Sequence, residues 1–448
     1  MSRRTLLLPL WLHLVVCAVA SPVRAQSLPK DSALEVASFD SAWRRIRDSY
    51  YDAGMRGLDW NAVGAELRRV VAEVGDRAAA RAAIRQMLEL LGESHFALLP
   101  GELIGTDRSV PPVADGDLGI ELRLLDGAAV VASVERDSPA MHAGVRPGWI
   151  VISIEGSELP DFAGAGIVAS ERERRLARLQ ATLQLQQRLR GPAGAPVRIQ
   201  FLDGGDMRRD FTLVRRAAPG QLVRLGGLPP QRVRFEWRRE TTPLGCVGVV
   251  HFDVWAPAIA PRFDEAMSEL RDCQGVILDV RGNVGGVAAM VMGFAGYFFE
   301  NEVVLGTLRM RGGDLRYVAN PRRVDRNARP LAPFRGQVAL LVDELSASTS
   351  EIFAAALQST ERARVFGVPT SGQALPSLAT RLPNGDLLVY AIADFVAPGN
   401  RRLEGCGVEP DEVVQLDREE LLLGRDAVLD RARRWIWQAA TVGATQRP

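Results

Sequence analysis

Residues 338–358 read VALLVDELSASTSEIFAAALQ. The run VALLV is apolar and rich in branched residues, which predicts a buried strand. The helix formers that follow Glu351 predict a helix. Ser346, Ser348 and Ser350 therefore lie in a tight turn from strand to helix, where a side chain projects beside the unpaired N–H groups of a helix N-terminus. Such a turn suits a nucleophile, and it also suits serines that only cap the helix.

The same alternation of strand and helix continues on both sides of this turn. Short apolar strands are predicted at CVGVVHFDVW (246–255), GVILDVRG (275–282) and ARVFGVPT (363–370). Helical patterns such as PRFDEAMSELRDC (261–273) alternate with them. Because parallel strands need crossover connections, this order predicts an α/β core with a mainly parallel sheet over residues 218–415.

Three further segments flank the predicted core. Residues 26–112 show helical periodicity that stops at Gly92, which predicts an N-terminal helical domain. Residues 113–217 alternate apolar strands with turn signals, which predicts a small β domain. The tail, 416–448, predicts a final amphipathic helix. The predicted fold class is therefore α/β within an α+β multidomain chain.

The N-terminus, residues 1–25, has the layout of a secretory signal. Arg3 and Arg4 precede an apolar run from Leu6 to Val19, and small residues predict cleavage after Ala20 or Ala25. That run is too short for a spanning helix. Lipid attachment at Cys17 is an alternative. We therefore expect a bacterial protein that is periplasmic or secreted.

Composition narrows the partners. A net charge of +1 gives no support to nucleic acid or anionic membranes as partners, and no other stretch is apolar enough to span a bilayer. Export permits disulfides, so Cys246 and Cys273 either pair or remain buried thiols, and Cys406 is left over. No Cys/His cluster has metal-ligand spacing, and we expect no metal or cofactor.

Four strings identify a family resemblance. They are ILDVRGNVGG (277–286), SASTSEIFAAALQ (346–358), GVPTSG (367–372) and LEGCGVEPD (403–411). Together they resemble the C-terminal processing peptidase, or tail-specific protease, family of serine proteases, over nearly the whole mature chain. The resemblance implies a ClpP/crotonase-like protease core acting on peptides or unfolded proteins. It also implies Ser348 as nucleophile, with Ser346 and Ser350 as turn and cap residues.

The β domain carries its own resemblance. The string SPA-x-x-AG-x-x-PG at residues 138–148 is similar to PDZ domains of bacterial proteases. Such domains bind an extended peptide along a sheet edge and hold its carboxylate with backbone N–H groups. The corresponding loop is Leu118, Gly119 and Ile120. The alternative is a PDZ-like spacer that binds nothing.

The general base is a separate question. The better-known branch of the family uses a lysine at the position of Gln373, and glutamine cannot accept a proton usefully near neutral pH. Lys30 is the only lysine in the chain, so a Ser-Lys dyad is excluded. Histidine is the usual base near pH 7. The candidates are His95, in GESHF, and His251, in the middle of a predicted strand.

A serine–histidine pair at this place resembles the tricorn-core branch of the family. That resemblance implies a Ser-His-Ser-Glu tetrad in which Ser94 orients His95 and Glu404 completes the set. It also implies an oxyanion hole made by the N–H groups of Gly285 and Thr349. A histidine base predicts hydrolysis that rises through an ionisation at about pH 6–7.5.

Two functions therefore remain open. The first is an exported serine endopeptidase whose PDZ domain recognises substrate C-termini. The second is a non-catalytic peptide- or ligand-binding protein on the same fold, because fold alone does not fix activity. They differ in whether four residues that are distant in sequence converge in space: Ser94, His95, Ser348 and Glu404.

Overall fold

The computed structural model describes residues 32–104, 115–163, 170–243, 245–325 and 327–445. The predicted signal, residues 1–25, lies outside these ranges. Within them, no helix combines the length and the apolar character needed to cross a bilayer.

The helical segment (32–104) contains three long helices, and two of them have clear capping residues at both ends. Its elements are α1 (Ser32–Ser49), α2 (Trp60–Val74), α3 (Arg77–Leu91), β1 (Ala97–Leu99) and α4 (Gly101–Ile104). Asp59 and Asp76 accept hydrogen bonds from the first turns of α2 and α3. Gly75 and Gly92 end the same two helices in the left-handed conformation. The predicted stop at Gly92 is where α3 ends.

The β segment (115–217) forms an antiparallel sheet with a long helix. Its elements are β2 (Gly116–Asp117), β3 (Ile120–Leu125), β4 (Ala128–Val134), α5 (Pro139–His142), β5 (Ile150–Ile154), β6 (Ser157–Glu158), α6 (Glu171–Leu189), β7 (Pro196–Leu202), β8 (Arg208–Val214) and β9 (Arg216–Ala217). The strand order is β3-β4-β5-β7-β8, so β3 is an edge strand. Helix α6 lies against β3, and its Leu185 and Leu189 join the same apolar cluster as Leu122.

The core (218–415) has the predicted alternation of strands and helices. Its elements are β10 (Gln221–Val223), β11 (Gln231–Val233), β12 (Phe235–Thr242), β13 (Gly245–Phe252), α7 (Ala260–Glu269), β14 (Gly275–Asp279), α8 (Met290–Ala295), β15 (Val303–Met310), β16 (Gly313–Ala319), β17 (Gln337–Val342), α9 (Thr349–Ser359), β18 (Arg364–Gly367), β19 (Ser377–Arg381), β20 (Leu387–Ala391), β21 (Ala393–Ala397), β22 (Arg401–Arg402) and β23 (Glu412–Val413). The central sheet has the order β12-β13-β14-β17-β18-β23. Every neighbouring pair in it is parallel except β12 with β13.

This parallel sheet positions the serine turn. Strands β14 and β17 are neighbours, with Asp279 opposite Leu341, so their carboxyl ends meet at one edge of the sheet. The turns that follow these two strands are therefore adjacent, as expected for sites at the carboxyl ends of parallel strands. Helices α10 (Arg418–Leu422) and α11 (Ala427–Thr445) follow the core, and Ile436 of α11 is buried against the sheet.

The helical segment is continuous with the core. Strand β1 pairs with β20, with Leu98 opposite Leu388. Phe96 and Leu98 share an apolar cluster with Leu375 and Leu388 of the core. Cys246 and Cys273 pair as a disulfide, which answers the question that the sequence left open, and Cys406 is a free, exposed thiol.

Candidate active site

The serine turn runs from β17 to α9, as predicted. Ser348 is the N-cap of α9 and has φ 56° and ψ −116°, outside the conformations that non-glycine residues usually adopt. Such local strain is common at functional sites. Ser350, which we expected to cap the helix, has another role. Its hydroxyl donates to the carbonyl of Asn283 (3.0 Å) and accepts from the Trp255 indole N–H (2.9 Å).

Asp343 shapes the first half of the turn. Its Oδ1 accepts from the N–H groups of Leu345 and Ser346, at 3.0 Å each, and from Gly282 N–H at 2.9 Å. Its Oδ2 accepts from Arg123 Nε, at 2.7 Å. One buried carboxylate therefore ties the serine turn both to the glycine-rich turn after β14 and to the β segment.

The glycine-rich turn approaches Ser348 closely. A Cβ added to Gly285 would lie 2.6 Å from the Cβ of Ser348 and 3.2 Å from its Oγ. Gly285 and Gly286 also have φ values of 107° and 143°, which favour glycine. The sequence GNVGG therefore serves a close approach of backbone to the serine.

The two residues predicted to supply oxyanion donors, Gly285 and Thr349, lie beside Ser348, but the N–H of Gly285 already has an acceptor. Thr349 is the first residue of α9, directly after Ser348. The Gly285 N–H donates to the side-chain oxygen of Asn283, at 3.0 Å. The N–H of Gly286 has no hydrogen-bond acceptor among the described residues. Gly286 is therefore a further candidate donor, which the sequence analysis did not name.

Ser94 and His95 lie in the loop between α3 and β1. The preceding residue, Glu93, anchors this loop to the rest of the molecule. Its buried carboxylate accepts from Tyr50 (2.5 Å) and Tyr51 (2.7 Å), and also from Arg56 and Arg402. Burial alone would raise the pKa of Glu93, but the hydrogen bonds from Tyr50, Tyr51 and Arg402 hold the pKa below its usual value. The loop is thus fixed by an ionised, fully paired side chain.

Ser94, His95 and Glu404 form a direct hydrogen-bond chain. Ser94 Oγ lies 2.7 Å from His95 Nδ1, and the same hydroxyl donates to Glu404 Oε2 at 2.7 Å. The Ser94 N–H donates to the other carboxylate oxygen, at 3.0 Å. Ser94 and Glu404 are almost completely buried, and His95 is half-buried with a positive φ of 62°.

One loop connects this chain to Ser348. The Ser348 N–H donates to the carbonyl of Gln373, at 2.8 Å. The next N–H, that of Ala374, donates to Glu404 Oε2, at 3.1 Å. Ser348 and Glu404 are thus held by adjacent residues of the same loop. The structure brings three of the predicted residues into contact and attaches the fourth to them through this loop.

Glu351 also binds the loop that contains Gln373 and Ala374. Its buried carboxylate accepts from the N–H groups of Ser348 (3.0 Å), Gly372 (2.7 Å) and Gln373 (2.9 Å). It also accepts from the Thr370 hydroxyl, at 2.5 Å. Sequence reasoning missed this role, although a Glu three residues after an N-cap Ser is the signal of a capping box.

Burial shifts the pKa values of His95 and Glu404 in opposite directions. It lowers the pKa of the His95 imidazole to about 4. It raises the pKa of Glu404 to about 7, although the hydrogen bonds from Ser94 and Ala374 oppose it. His95 is therefore neutral at pH 7, as a general base must be. Its lowered pKa lies below the range of 6–7.5 that we expected from the sequence.

The alternatives to this base are placed elsewhere. His251 Nδ1 lies 3.1 Å from the carbonyl of Asp279, in the sheet. Gln373 contributes backbone groups to the turn and is nearly buried. In the described ranges, the one cluster with metal-ligand spacing is Cys246, Asp272 and Cys273, whose cysteines form the disulfide and are not thiolate ligands.

Comparisons with known proteins agree with this architecture. Residues 246–414 match the family described as peptidase family S41, and residues 37–89 match the tricorn protease C1 domain. A carboxyl-terminal-processing protease of Synechocystis sp. is 25% identical over 386 residues, which cover 84% of this chain and 79% of that protein. Carboxyl-terminal-processing peptidase 3, chloroplastic, of Arabidopsis thaliana is 27% identical over 413 residues, which cover 87% of this chain and 72% of that protein.

Solved structures share the fold. The photosystem II D1 C-terminal processing protease has a TM-score of 0.56 at 22% identity, covering 88% of this chain and 98% of that chain. Mature CPAF has a TM-score of 0.59 at 11% identity, covering 93% of this chain and 99% of that chain. The two matched domains and the related processing proteases lead to one conclusion: residues 246–414 form a domain of peptidase family S41, and the protein is a serine-type peptidase.

Proposed function

We propose that the protein is an exported endopeptidase that cleaves peptides or unfolded proteins, with Ser348 as nucleophile and His95 as general base. The observation that carries this proposal is the hydrogen-bond chain from His95 through Ser94 to Glu404. The non-catalytic alternative gives no reason for a histidine, a serine and a carboxylate to be aligned in this way beside a strained serine turn.

The chain of hydrogen bonds sets the tautomer of the base. Glu404 accepts the Ser94 O–H, so the Ser94 oxygen is left to accept the N–H of His95 Nδ1. The other ring nitrogen, Nε2, then carries a lone pair, as general-base catalysis requires. When Nε2 takes a proton, the resulting imidazolium is stabilised through Ser94 by the carboxylate.

The proposed reaction begins at Ser348. Ser348 Oγ attacks the carbonyl carbon of the scissile peptide bond, and its proton passes to His95 Nε2. The carbonyl oxygen becomes an oxyanion, which Thr349 N–H and a glycine N–H of the turn 282–286 stabilise. The C–N bond then breaks as His95 returns the proton to the leaving amine. Water hydrolyses the acyl-enzyme by the same steps and restores Ser348.

The β segment is proposed as a PDZ domain that holds substrate C-termini. Strand β3 begins at Ile120, directly after Leu118 and Gly119, and forms the edge of its sheet, as peptide addition requires. The names of the related enzymes describe carboxyl-terminal processing. We extend that substrate class, peptides or proteins with accessible C-termini, to this chain.

Export is proposed from residues 1–25, which read as a signal sequence. N-terminal sequencing of protein recovered outside the cytoplasm should give a chain that begins after Ala20 or Ala25. Recovered protein that begins at Met1 would contradict this part of the proposal and leave the catalytic part untouched.

A fluorophosphonate probe tests the catalytic proposal without knowledge of the substrate, because it reacts with activated serines. The wild type should be labelled, Ser348→Ala should not be labelled, and His95→Ala should label at a rate lower by roughly 100-fold. His142→Ala is the matched control, since His142 is exposed on α5 and should label like the wild type. Labelling of His95→Ala at the wild-type rate contradicts the proposed base. A wild type that is never labelled favours the ligand-binding alternative.

A further inference from the structure

Glu404 has a charged neighbour from another segment of the chain. Arg172 Nη2 lies 3.7 Å from Glu404 Oε1. The guanidinium also packs on the backbone of the adjacent residue, since a Cβ on Gly405 would lie 3.2 Å from Arg172 Cζ. Arg172 belongs to α6 of the β segment, whereas Glu404 belongs to the core. The contact therefore joins two segments at the carboxylate that ends the hydrogen-bond chain.

The position of Arg172 in its helix is unfavourable on local grounds. It lies in the first turn of α6, directly after Glu171, and Ser170 caps that turn. A cation near a helix N-terminus opposes the helix dipole, which favours acidic residues there. The same turn carries Glu171 and Glu173, as the dipole predicts. A residue that breaks a local rule is often retained for a contact elsewhere, and here that contact is Glu404.

The protonation state of Glu404 decides the direction of the hydrogen bonds that run from Glu404 through Ser94 to His95. Its two oxygens accept hydrogen bonds from Ser94 N–H, Ser94 Oγ–H and Ala374 N–H, and the ionised form can accept all three. A protonated Glu404 would instead donate to Ser94 and reverse the chain. The Ser94 hydroxyl would then donate to His95 Nδ1, and the ring proton would move to Nε2, where it blocks general-base action.

We propose that Arg172 is a positioning residue for the reaction: it supplies the counter-charge that keeps Glu404 an acceptor and so fixes the tautomer of His95. This inference rests on the proposed catalytic roles of His95 and Glu404. The charged and titratable groups that the structure places around Glu404 include Arg172 from α6, Glu93 and His95 from the loop after α3, and Glu351, whose carboxylate holds the turn beside Ala374. Glu93 disfavours the ionised form of Glu404, whereas the guanidinium of Arg172, 3.7 Å from Glu404 Oε1, is a cation that favours it.

The test is the pH dependence of kcat/KM for Arg172→Gln. Arg172 is half-exposed and lies 3.7 Å from the buried carboxylate, so its charge contributes modestly. We therefore expect the midpoint of the acid limb to move up by roughly half a pH unit, with the plateau at higher pH unchanged. Arg172→Lys should keep the midpoint close to that of the wild type, because it retains the positive charge. Arg174→Gln is the matched control, because it removes the same charge from the same turn, and within the described part of the chain Arg174 pairs with Glu171 and not with Glu404.

Three outcomes would overturn the inference. They are an unchanged midpoint in Arg172→Gln, an equal shift in Arg174→Gln, and a loss of kcat at every pH without a shift, which is the result expected of a structural role. In a Glu404→Gln background, Arg172→Gln should cause no further shift, because the charge that it balances is gone. Failure of the catalytic proposal itself would appear as probe labelling of His95→Ala at the wild-type rate, a measurement that does not involve Arg172.

Discussion

The backbone N–H of Ser348 donates to the carbonyl oxygen of Gln373, at 2.8 Å. Gln373 occupies the position at which the better-known branch of the family carries its lysine base. In this protein the position acts through the main chain, which holds the strained serine in place. Its N–H also donates to Glu351 Oε2, at 2.9 Å, so both of its backbone groups are used by the turn.

Gln373→Ala should therefore retain most activity. The substitution keeps both backbone groups, and the side chain has no proton-transfer role on the proposed mechanism. We expect kcat/KM within roughly tenfold of the wild type, compared with a loss of several orders of magnitude for Ser348→Ala. Steady-state hydrolysis of a peptide substrate measures both. A loss in Gln373→Ala as large as that in Ser348→Ala would show that the glutamine side chain takes part in the chemistry.

Glu351→Gln should reduce stability and activity together. An amide in place of the carboxylate turns an NH₂ group toward buried donors, which include the N–H groups of Gly372 and Gln373. Leaving such donors unsatisfied costs about 1–3 kcal/mol of unfolding free energy. A displaced turn should also lower kcat by at least roughly tenfold, because small shifts of a nucleophile are costly.

Urea unfolding and hydrolysis rates measure these two effects. Glu265→Gln is the control, since Glu265 is exposed on α7 and its change should alter neither quantity. If Glu351→Gln kept the wild-type kcat despite a lower stability, the carboxylate would be structural and would not position Ser348.

The strand–turn–helix around Ser348 was predictable because apolar periodicity and helix propensity are local signals. The contacts that make it a site were harder to predict. Glu351 reaches residues 370–373, and Ser350 reaches Asn283 and Trp255, across the tertiary fold. The roles of Ser94 and His95 were predicted from the family resemblance. The placement of the segment that carries them depends on β1 pairing with β20, which no local pattern encodes.

Ser348→Ala and His95→Ala should not be additive. Both residues belong to one proton-transfer unit, so each single variant should lose several orders of magnitude in kcat, and the double variant should be little worse. Ser94→Ala should have a kcat between those of the wild type and these variants, lower than the wild type by roughly 100-fold. Ser94 orients the imidazole ring but does not enter the covalent step. Single-turnover rates resolve these differences. A double variant whose loss equals the product of the two single losses would show that the residues act independently.

The peptide-binding loop gives a prediction with a matched control. Peptides with a free C-terminal carboxylate should bind at least roughly tenfold more tightly than their amides, because hydrogen bonds to charged groups are the stronger ones. Gly119→Ala should weaken binding, since its φ is 71° and a Cβ there would lie 2.3 Å from Ser138 Cβ. Gly156 has a similar φ of 73° with no neighbour within 4 Å, so Gly156→Ala controls for backbone strain.

Fluorescence titration with labelled peptides would measure this binding. Equal affinity for acid and amide would mean that the loop does not recognise a carboxylate. Equal effects of Gly119→Ala and Gly156→Ala would mean that the loop's packing against Ser138 is irrelevant to binding.

As the pH falls, hydrolysis should first decrease because Glu404 gains a proton, and only at lower pH because His95 gains one. The pKa of Glu404 is raised to about 7 by burial, and that of His95 is lowered to about 4. As the pH falls through 7, Glu404 gains a proton, the hydrogen-bond chain reverses, and activity should fall because Nε2 of His95 no longer accepts a proton. Below about pH 4 the imidazole itself is charged, and the remaining activity should disappear. Because the groups are linked through Ser94, the apparent values belong to the set as a whole.

Glu404→Gln separates the two ionisations. Its plateau should be lower, because an amide orients Ser94 less well than a carboxylate, but its acid limb should lie below the usual histidine value of about 6.5. The wild-type limb should lie above that of the variant, in the range that the sequence led us to assign to His95. Profiles of kcat/KM from pH 4 to pH 9 for the two proteins make the comparison. If both proteins lose activity with the same midpoint, the limb belongs to another group and Glu404 does not control the base.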